Sequence, residues 1–333
     1  MKMSKRKKSS LLITGGLGFI GAHVARRLLS KFEIVILDWD KSKLGSMLAR
    51  DFKSSGIIVH QMDVADARTW KELGPCRYIF HAAAQPAAIE SERDPQRDLL
   101  TNTLGTQLLA EYARAHQSSI IFCNTIRIYD SAAVDRIYKQ NGSVPETCQT
   151  IIETKNWSPP FAYSKYAAEC ILKWYSEKYK LPVISHRMSG IVGAGQRSSQ
   201  IHGWVSYLIK CAASGKKFTI FGDGKQTRDI LHIDDYVDLI EMELSDFSYF
   251  SNNKFIVYNI GGGGRNEISI NDLITLIMKE HNLFLKRDYD EFRGGEPKHY
   301  VTALSKISKK SWVPKYTDPK KIISDLVRQF GGG

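Results

Sequence analysis

The sequence predicts an α/β fold, a Rossmann-type doubly wound parallel sheet followed by a smaller C-terminal α/β domain, and three observations predict it. Short apolar runs alternate with helical stretches through the first half of the chain, a pattern that parallel strands and their crossover helices require. A glycine-rich segment lies directly between the first strand and the first helix. The regular alternation then lapses, and 333 residues with 43% hydrophobic content suffice for one large domain and a smaller one.

The first strand is 10–14, a β-branched and apolar run that ends at the glycines, and the helix 19–30 follows it with apolar residues at helical spacing. Strands at 33–37, 57–61, 78–81, 119–123 and 182–186 are each bounded by turn or helix signals. Helices at 41–53, 66–73, 94–116 and 162–179 fill the intervals and place a crossover between successive strands. The second half reads as a helix at 203–214, a short strand at 218–221, a helix at 234–244, a strand at 255–260 and a helix at 269–281. The expected division is a basic tail over 1–9, a dinucleotide-binding domain over 10–190 with returns around 229–260, and a second ligand-binding domain over 191–228 and 261–330. No internal repeat is present, and the glycine run 261–264 at a strand end reads as a tight turn.

Composition excludes several classes. No stretch approaches the ~18 to 20 apolar residues of a membrane-spanning helix and the N-terminus has no apolar signal core, so a cytoplasmic protein without a membrane partner is expected. Cys76, Cys123, Cys148, Cys170 and Cys211 are odd in number and never form a C-x-x-C pair, which points to free thiols rather than a disulfide framework or a zinc site. The net charge is +12, to which Lys2, Lys5, Arg6, Lys7 and Lys8 contribute from a polar tail without interleaved aromatics, so no nucleic-acid partner is expected. A positive surface also suits anionic pyrophosphate ligands.

Thr14-Gly15-Gly16-Leu17-Gly18-Phe19-Ile20-Gly21 is a dinucleotide fingerprint in its proper context. Gly15 permits the tight turn, Gly18 lets backbone amides approach a pyrophosphate, and Gly21 lets the helix pack close to the strand, with the helix N-terminus facing the anion. Asp38 ends the second strand about 20 residues beyond, where a carboxylate accepts from both ribose hydroxyls and repels a 2′-phosphate, so the expected cofactor is NAD. Asp63 and Val64 follow the third strand near the adenine, and Ala82, Ala83 and Ala84 are small where the chain passes under the cofactor.

With His81-Ala82-Ala83-Ala84-Gln85-Pro86-Ala87, Asp94-Pro95 and Asn102-Thr103-Leu104-Gly105-Thr106, these segments resemble the extended short-chain dehydrogenases that act as nucleotide-sugar epimerases and dehydratases. Gly203-Trp204-Val205 and the run from Ile220 to Leu231 are similar to the CDP-paratose 2-epimerase (CDP-tyvelose epimerase) branch. The resemblance spans Ser9 to Pro314 and implies an NAD-dependent epimerase that works through a keto-sugar, binds a nucleoside-diphosphate sugar and forms a homodimer through the helices at 94–116 and 162–179. It also adds Asn102 to the cofactor set.

The resemblance implies three catalytic positions, a Ser or Thr after the fifth strand and a Y-x-x-x-K pair on the next helix. Thr125 supplies the hydroxyl and Lys165 the lysine, which holds the nicotinamide ribose and lowers the phenol pKa. Phe161 stands at the tyrosine position and has no proton to exchange. Tyr163 is no substitute, because two residues along a helix is a rotation of ~200°. Three readings stay open: another base such as Lys165, Tyr129 or an ordered water; an engineered Tyr-to-Phe change; or lost catalysis, leaving a non-catalytic binding protein. For the substrate the resemblance implies Gln85, His202, Trp204, Arg228 and Arg293, the arginines toward the diphosphate. The family's usual Gly-Pro-Arg turn reads Gly193-Ala194-Gly195. Ile126 and Arg127 replace the Asp-Glu pair of 4,6-dehydratases, which argues against dehydration.

Overall fold

A computed structural model describes residues 8–153, 157–199, 202–250 and 254–331. In chain order the elements are β1 (Ser10–Thr14), α1 (Phe19–Leu28), β2 (Glu33–Leu37), α2 (Lys43–Ser54), β3 (Ile58–His60), α3 (Ala67–Lys71), β4 (Tyr78–His81), α4 (Ala88–Arg93), α5 (Pro95–Leu99), α6 (Gly105–His116), β5 (Ser119–Thr125), α7 (Ser131–Asn141), α8 (Pro160–Tyr179) and β6 (Val183–Met188). There follow β7 (Gly190–Val192), α9 (Trp204–Ser214), β8 (Lys217–Phe221), β9 (Thr227–His232), α10 (Ile233–Ser245), β10 (Phe255–Ile260), β11 (Glu267–Ser269), α11 (Ile270–His281), β12 (Lys286–Asp290), β13 (His299–Tyr300) and α12 (Pro319–Gly331).

The main sheet has seven strands, all parallel, in the order β10-β6-β5-β4-β1-β2-β3. Its faces follow the two-residue period of a strand: Leu11 and Ile13 of β1 pack into one apolar core with α1 and α10, and Leu12 into another with α6 and α8. Because β1 lies between β2 and β4, the strand order reverses there, and the crevice beyond the C-terminal ends of β1 and β4 is the topological switch point where such sheets take ligands. The smaller half carries β11, β9 and β13, with β7 beside β9, and a separate parallel pair β12 and β8. Its core is built by α9, α11 and α12.

Several elements differ from the sequence expectation. Strand β9 belongs to the smaller sheet, so of the segment 229–260 the return to the main sheet is made by β10. Helix 94–116 begins at Pro95 under an Asp94 cap and is widened by a π turn over Leu100–Leu104. The basic-tail expectation falls largely on residues 1–7, outside the described residues, and Ser9 is already tied to the fold by accepting from Glu33 N at 3.0 Å. Strands β5 and β6 run two residues past their expected ends, to Thr125 and Met188, where Asn124 pairs in register with Arg187. Those polar residues interrupt the apolar pattern, yet they are buried and paired through Glu169. No helix among the described residues is long and apolar enough to cross a membrane.

Candidate active site

A cavity of about 760 Å³ opens at the switch point, a size typical of cofactor sites. Gly15, Gly18, Phe19, Ile20, Gly21, Asp38, Asp63, Val64, Ala82, Ala83 and Ala84 line it, as do Thr125, Phe161 and Lys165. Gly15 and Gly21 are sterically required. Gly15 has φ +70°, and a Cβ there would lie 2.7 Å from Ala83 N; a Cβ on Gly21 would lie 2.3 Å from Gly15 O. Backbone and α1 N-terminus are thereby brought against the cavity, which fits the diphosphate of a dinucleotide.

Asp38 holds the far end. Its Oδ2 accepts from Leu17 N at 2.8 Å and its Oδ1 from Asp40 N at 2.9 Å, so the carboxylate braces the glycine loop while facing the cavity. Burial pushes its pKa above the usual carboxylate value. Asp63 accepts from Arg97 at 2.7 Å, and Arg97 lies over the Trp39 ring at 4.5 Å, so this end is walled by an ion pair and an indole. Between β1 and β4, His81 Nδ1 sits 2.6 Å from Thr14 Oγ1 and Nε2 2.9 Å from Thr106 Oγ1. Burial, with Lys165 nearby, lowers the His81 pKa to about 3, which keeps it a neutral strut.

At the other end, Lys165 Nζ donates to Cys123 O at 2.7 Å and lies 4.2 Å from the centre of the Phe122 ring. Burial lowers the lysine pKa to about 8. Phe161 precedes it by one helical turn, and its main-chain N–H donates to Ser91 Oγ at 3.0 Å. Thr125 Oγ1 accepts from Arg127 N at 3.2 Å. The end of β5 is set by a buried network: Asn124 Nδ2 and Ser185 Oγ donate to Glu169 Oε2 at 2.6 and 2.7 Å, and Arg187 donates to Glu169 Oε1 at 2.5 Å.

A second cavity of about 320 Å³ adjoins the first, and Thr125, Phe161, Met188, Ser189, Gln196 and His202 border both. Trp204, Arg228, Arg293, Arg127 and Glu296 line the second alone. Arg127 donates to Glu296 Oε1 at 2.7 Å. Burial alone would raise the Glu296 pKa, but Arg127, Arg228 and Arg293 outweigh it and hold the carboxyl below its usual value. Arg293 lies 3.6 Å over the Phe221 ring, whereas Arg228 donates to the carbonyls of Thr227, Pro297 and Lys298. Much of the Arg228 fork therefore ties β9 to the segment before β13.

Other expected site residues stand elsewhere. Gln85 folds its amide onto Ala87, donating to its carbonyl and accepting from its N–H, and lines neither cavity. Asn102, on the π turn, is buried behind the wall: Oδ1 accepts from Gln85 N, and Nδ2 donates to Gln85 O, Asp98 and Ser164. It shapes the loop under the cavity without touching it. Tyr129 is removed as a base, because its hydroxyl is buried, accepts from Arg187 and donates to Asn259, and burial drives its pKa well up. Tyr163 is exposed and lines neither cavity. Sequence reasoning missed Glu296, Phe292 and Gln196 as wall residues; Phe292 is next to Arg293 and Glu296 three residues beyond it, and that proximity was the available signal.

Comparisons with known proteins agree with this architecture. The model of the NAD dependent epimerase/dehydratase family matches residues 11–261. The CDP-paratose 2-epimerase of Salmonella typhi is 30% identical over 331 residues, covering 92% of this chain and 94% of that protein. Among solved structures, the UDP-glucose 4-epimerase of Thermotoga maritima with UDP-glucose superposes with a TM-score of 0.79 at 26% identity, over 96% of this chain and 98% of that one. A UDP-glucuronic acid 4-epimerase mutant from Bacillus cereus, in complex with NAD and a fluorinated UDP-glucuronic acid, gives a TM-score of 0.83 at 24% identity, over 97% and 99%. Fold, glycine loop and adjoining cavities agree with the family match: the chain belongs to the NAD-dependent epimerase/dehydratase family.

Proposed function

We propose that this protein is an NAD-dependent nucleotide-sugar epimerase that inverts a sugar carbon through a keto intermediate, with a CDP-sugar of the paratose type as the leading substrate candidate. The observation that carries this reading is the junction itself: the two cavities meet where Thr125 and Phe161 border both, with Lys165 beside them on the cofactor side. NAD, when bound, takes and returns the hydride. The glycine loop and Asp38 would hold its adenosine diphosphate half, and Lys165 its nicotinamide ribose. Thr125, whose Oγ1 accepts from a main-chain N–H, keeps its own proton to donate to the sugar oxygen. Arg293, with Arg127 and Arg228, supplies positive charge for the diphosphate. The domain roles follow: the half built on the main sheet binds NAD, and the smaller half closes over the sugar nucleotide.

Dehydration is the weaker alternative, because the place of its acid/base pair is taken by Ile126 and by Arg127, which is engaged with Glu296. A homodimer is proposed through the helical stretch 95–116 and α8, where Leu104, Tyr163 and Trp174 stand exposed, and a cytoplasmic location accords with five cysteines that form no disulfide. The deciding experiment incubates the protein and NAD with CDP-, UDP-, GDP- and ADP-sugars, following NADH absorbance and sugar configuration by NMR. Inverted configuration with one donor establishes the epimerase; binding of both ligands without product at any pH overturns it in favour of a non-catalytic binding protein.

A further inference from the structure

The absent phenol leaves a chemical gap at the junction, and the residues that border both cavities can be sorted by what their polar atoms already do. Ser189 donates its hydroxyl to Asp229 Oδ1 at 2.7 Å. Gln196 donates to Ile191 O at 3.0 Å and accepts from Ser206 Oγ at 2.5 Å. Thr125 has no usable pKa near neutrality. Lys165 lines only the cofactor cavity, is buried, and has a proton committed to Cys123 O. Among the described residues, His202 is the titratable side chain that borders both cavities.

Its backbone is held in place. Ser199 N donates to His202 O at 2.8 Å and His202 N to Ser199 O at 3.1 Å, and Gly203 then turns with φ +67° into the N-terminus of α9. The Gln196 bonds anchor the same loop to β7 and α9, and His23 Nε2 lies 2.8 Å from Ala194 O. From these observations we propose that His202 is the catalytic base and acid of this enzyme, standing in for the missing tyrosine. The inference rests on the epimerase reading. In the oxidation half, an imidazole nitrogen takes the proton of the sugar hydroxyl while the carbon–hydrogen bond gives its electron pair, as hydride, to NAD, and the carbonyl forms. In the return half the hydride is delivered to the other face of that carbon, and the imidazolium gives the proton back to the same oxygen. Proton and hydride are both conserved over the cycle.

The surroundings suit a neutral imidazole. Arg127, Arg228, Arg293 and Glu296 line the sugar cavity, and Asp38, Asp40, Lys41, Asp63, Arg97, Lys165 and Arg197 line the cofactor cavity, so both signs of charge face the ring and its shift is set by desolvation. His202 keeps access to solvent, and the desolvation that the cavity walls impose on its ring lowers its pKa below the ordinary value, which favours the neutral form that accepts a proton.

The test compares wild type with His202→Asn and His202→Ala on the substrate identified above, and measures NAD and sugar-nucleotide affinity by calorimetry. His202→Asn is expected to lower kcat by about 100-fold with both affinities and KM unchanged, and to abolish the fall of kcat at acid pH. Millimolar imidazole is expected to restore turnover to His202→Ala. A His202→Asn enzyme within about threefold of wild-type kcat, with the acid limb intact, overturns the assignment of the base while leaving the epimerase standing. A wild type that binds NAD and turns over no sugar nucleotide overturns the epimerase reading and this assignment together.

Discussion

Lys165 Nζ donates 2.7 Å to the carbonyl of Cys123, and this ammonium is almost wholly withdrawn from water beneath the cofactor cavity. Its pKa is lowered by burial from 10.5 to about 8. The unfolded chain therefore binds more protons at this site between pH 8 and 10.5, and the fold gains stability as pH rises through that window. Below pH 8 the full cost of burying the charge stands. Lys165→Met is expected to be more stable than wild type at pH 7 by about 1–3 kcal/mol in the absence of ligand, with the difference shrinking toward pH 10, and to lose turnover. Thermal unfolding of both proteins at pH 7 and pH 10 checks it; a variant less stable at pH 7 refutes the account.

Glu169 gathers Asn124, Ser185 and Arg187 in a buried network behind Thr125. Glu169→Ala strands the Arg187 guanidinium and is expected to cost about 3–5 kcal/mol, read as a drop in urea midpoint. A loss under about 1 kcal/mol would mean that the network is not a structural keystone.

The glycine loop offers a sharper steric test. Gly21→Ala places a methyl 2.3 Å from Gly15 O, so α1 must retreat from β1. About 1–3 kcal/mol of stability and most NAD affinity are expected to go, as seen by denaturant titration and calorimetry. Gly74→Ala, where the backbone is not left-handed and a Cβ meets nothing within 4 Å, should leave both stability and NAD affinity as they were.

Arg293 lines the second cavity above the Phe221 ring. Arg293→Leu is expected to raise KM for the sugar nucleotide by roughly 10- to 100-fold with kcat and NAD affinity unchanged, the pattern of a lost ground-state contact. A fall in kcat at unchanged KM would move Arg293 from binding to the reacting carbon.

Phe161 borders the same junction as His202, so on the proposed chemistry a phenol introduced there would reach the oxygen that His202 serves. Phe161→Tyr is expected to rescue His202→Asn by about tenfold or more in kcat, with a new basic limb in the pH profile. Failure of the double variant, with NAD binding intact, would show that the two side chains do not serve one proton.

The main sheet was legible where its strands are apolar: β1, β2, β4 and β10 coincide with the expected residues because each is a short apolar run between clear breaks. Legibility failed where burial is polar. Asn124 and Arg187 look like strand ends and are strand interior, since their partner Glu169 lies on a helix remote from both in sequence. Strand β12, Lys-Arg-Asp-Tyr-Asp, has no apolar face at all and owes its conformation to pairing with β8. In the site, the glycines and Asp38 declared themselves through spacing, whereas the engagement of Gln85 with Ala87 and of Arg228 with carbonyls depends on local loop geometry that spacing does not encode.

One of the two edge strands of the main sheet, β10, pairs in parallel with β6, from which it is separated by β7, α9, β8, β9 and α10. During synthesis on the ribosome, the polypeptide up to Met188 can emerge with one sheet edge still open, and that edge stays unpaired until Ile260 has cleared the exit tunnel. The interval between is the period in which the nascent chain is most vulnerable to edge-to-edge association and most in need of a chaperone. Slowing translation across that stretch should therefore lower the yield of active protein more than slowing it anywhere before β6.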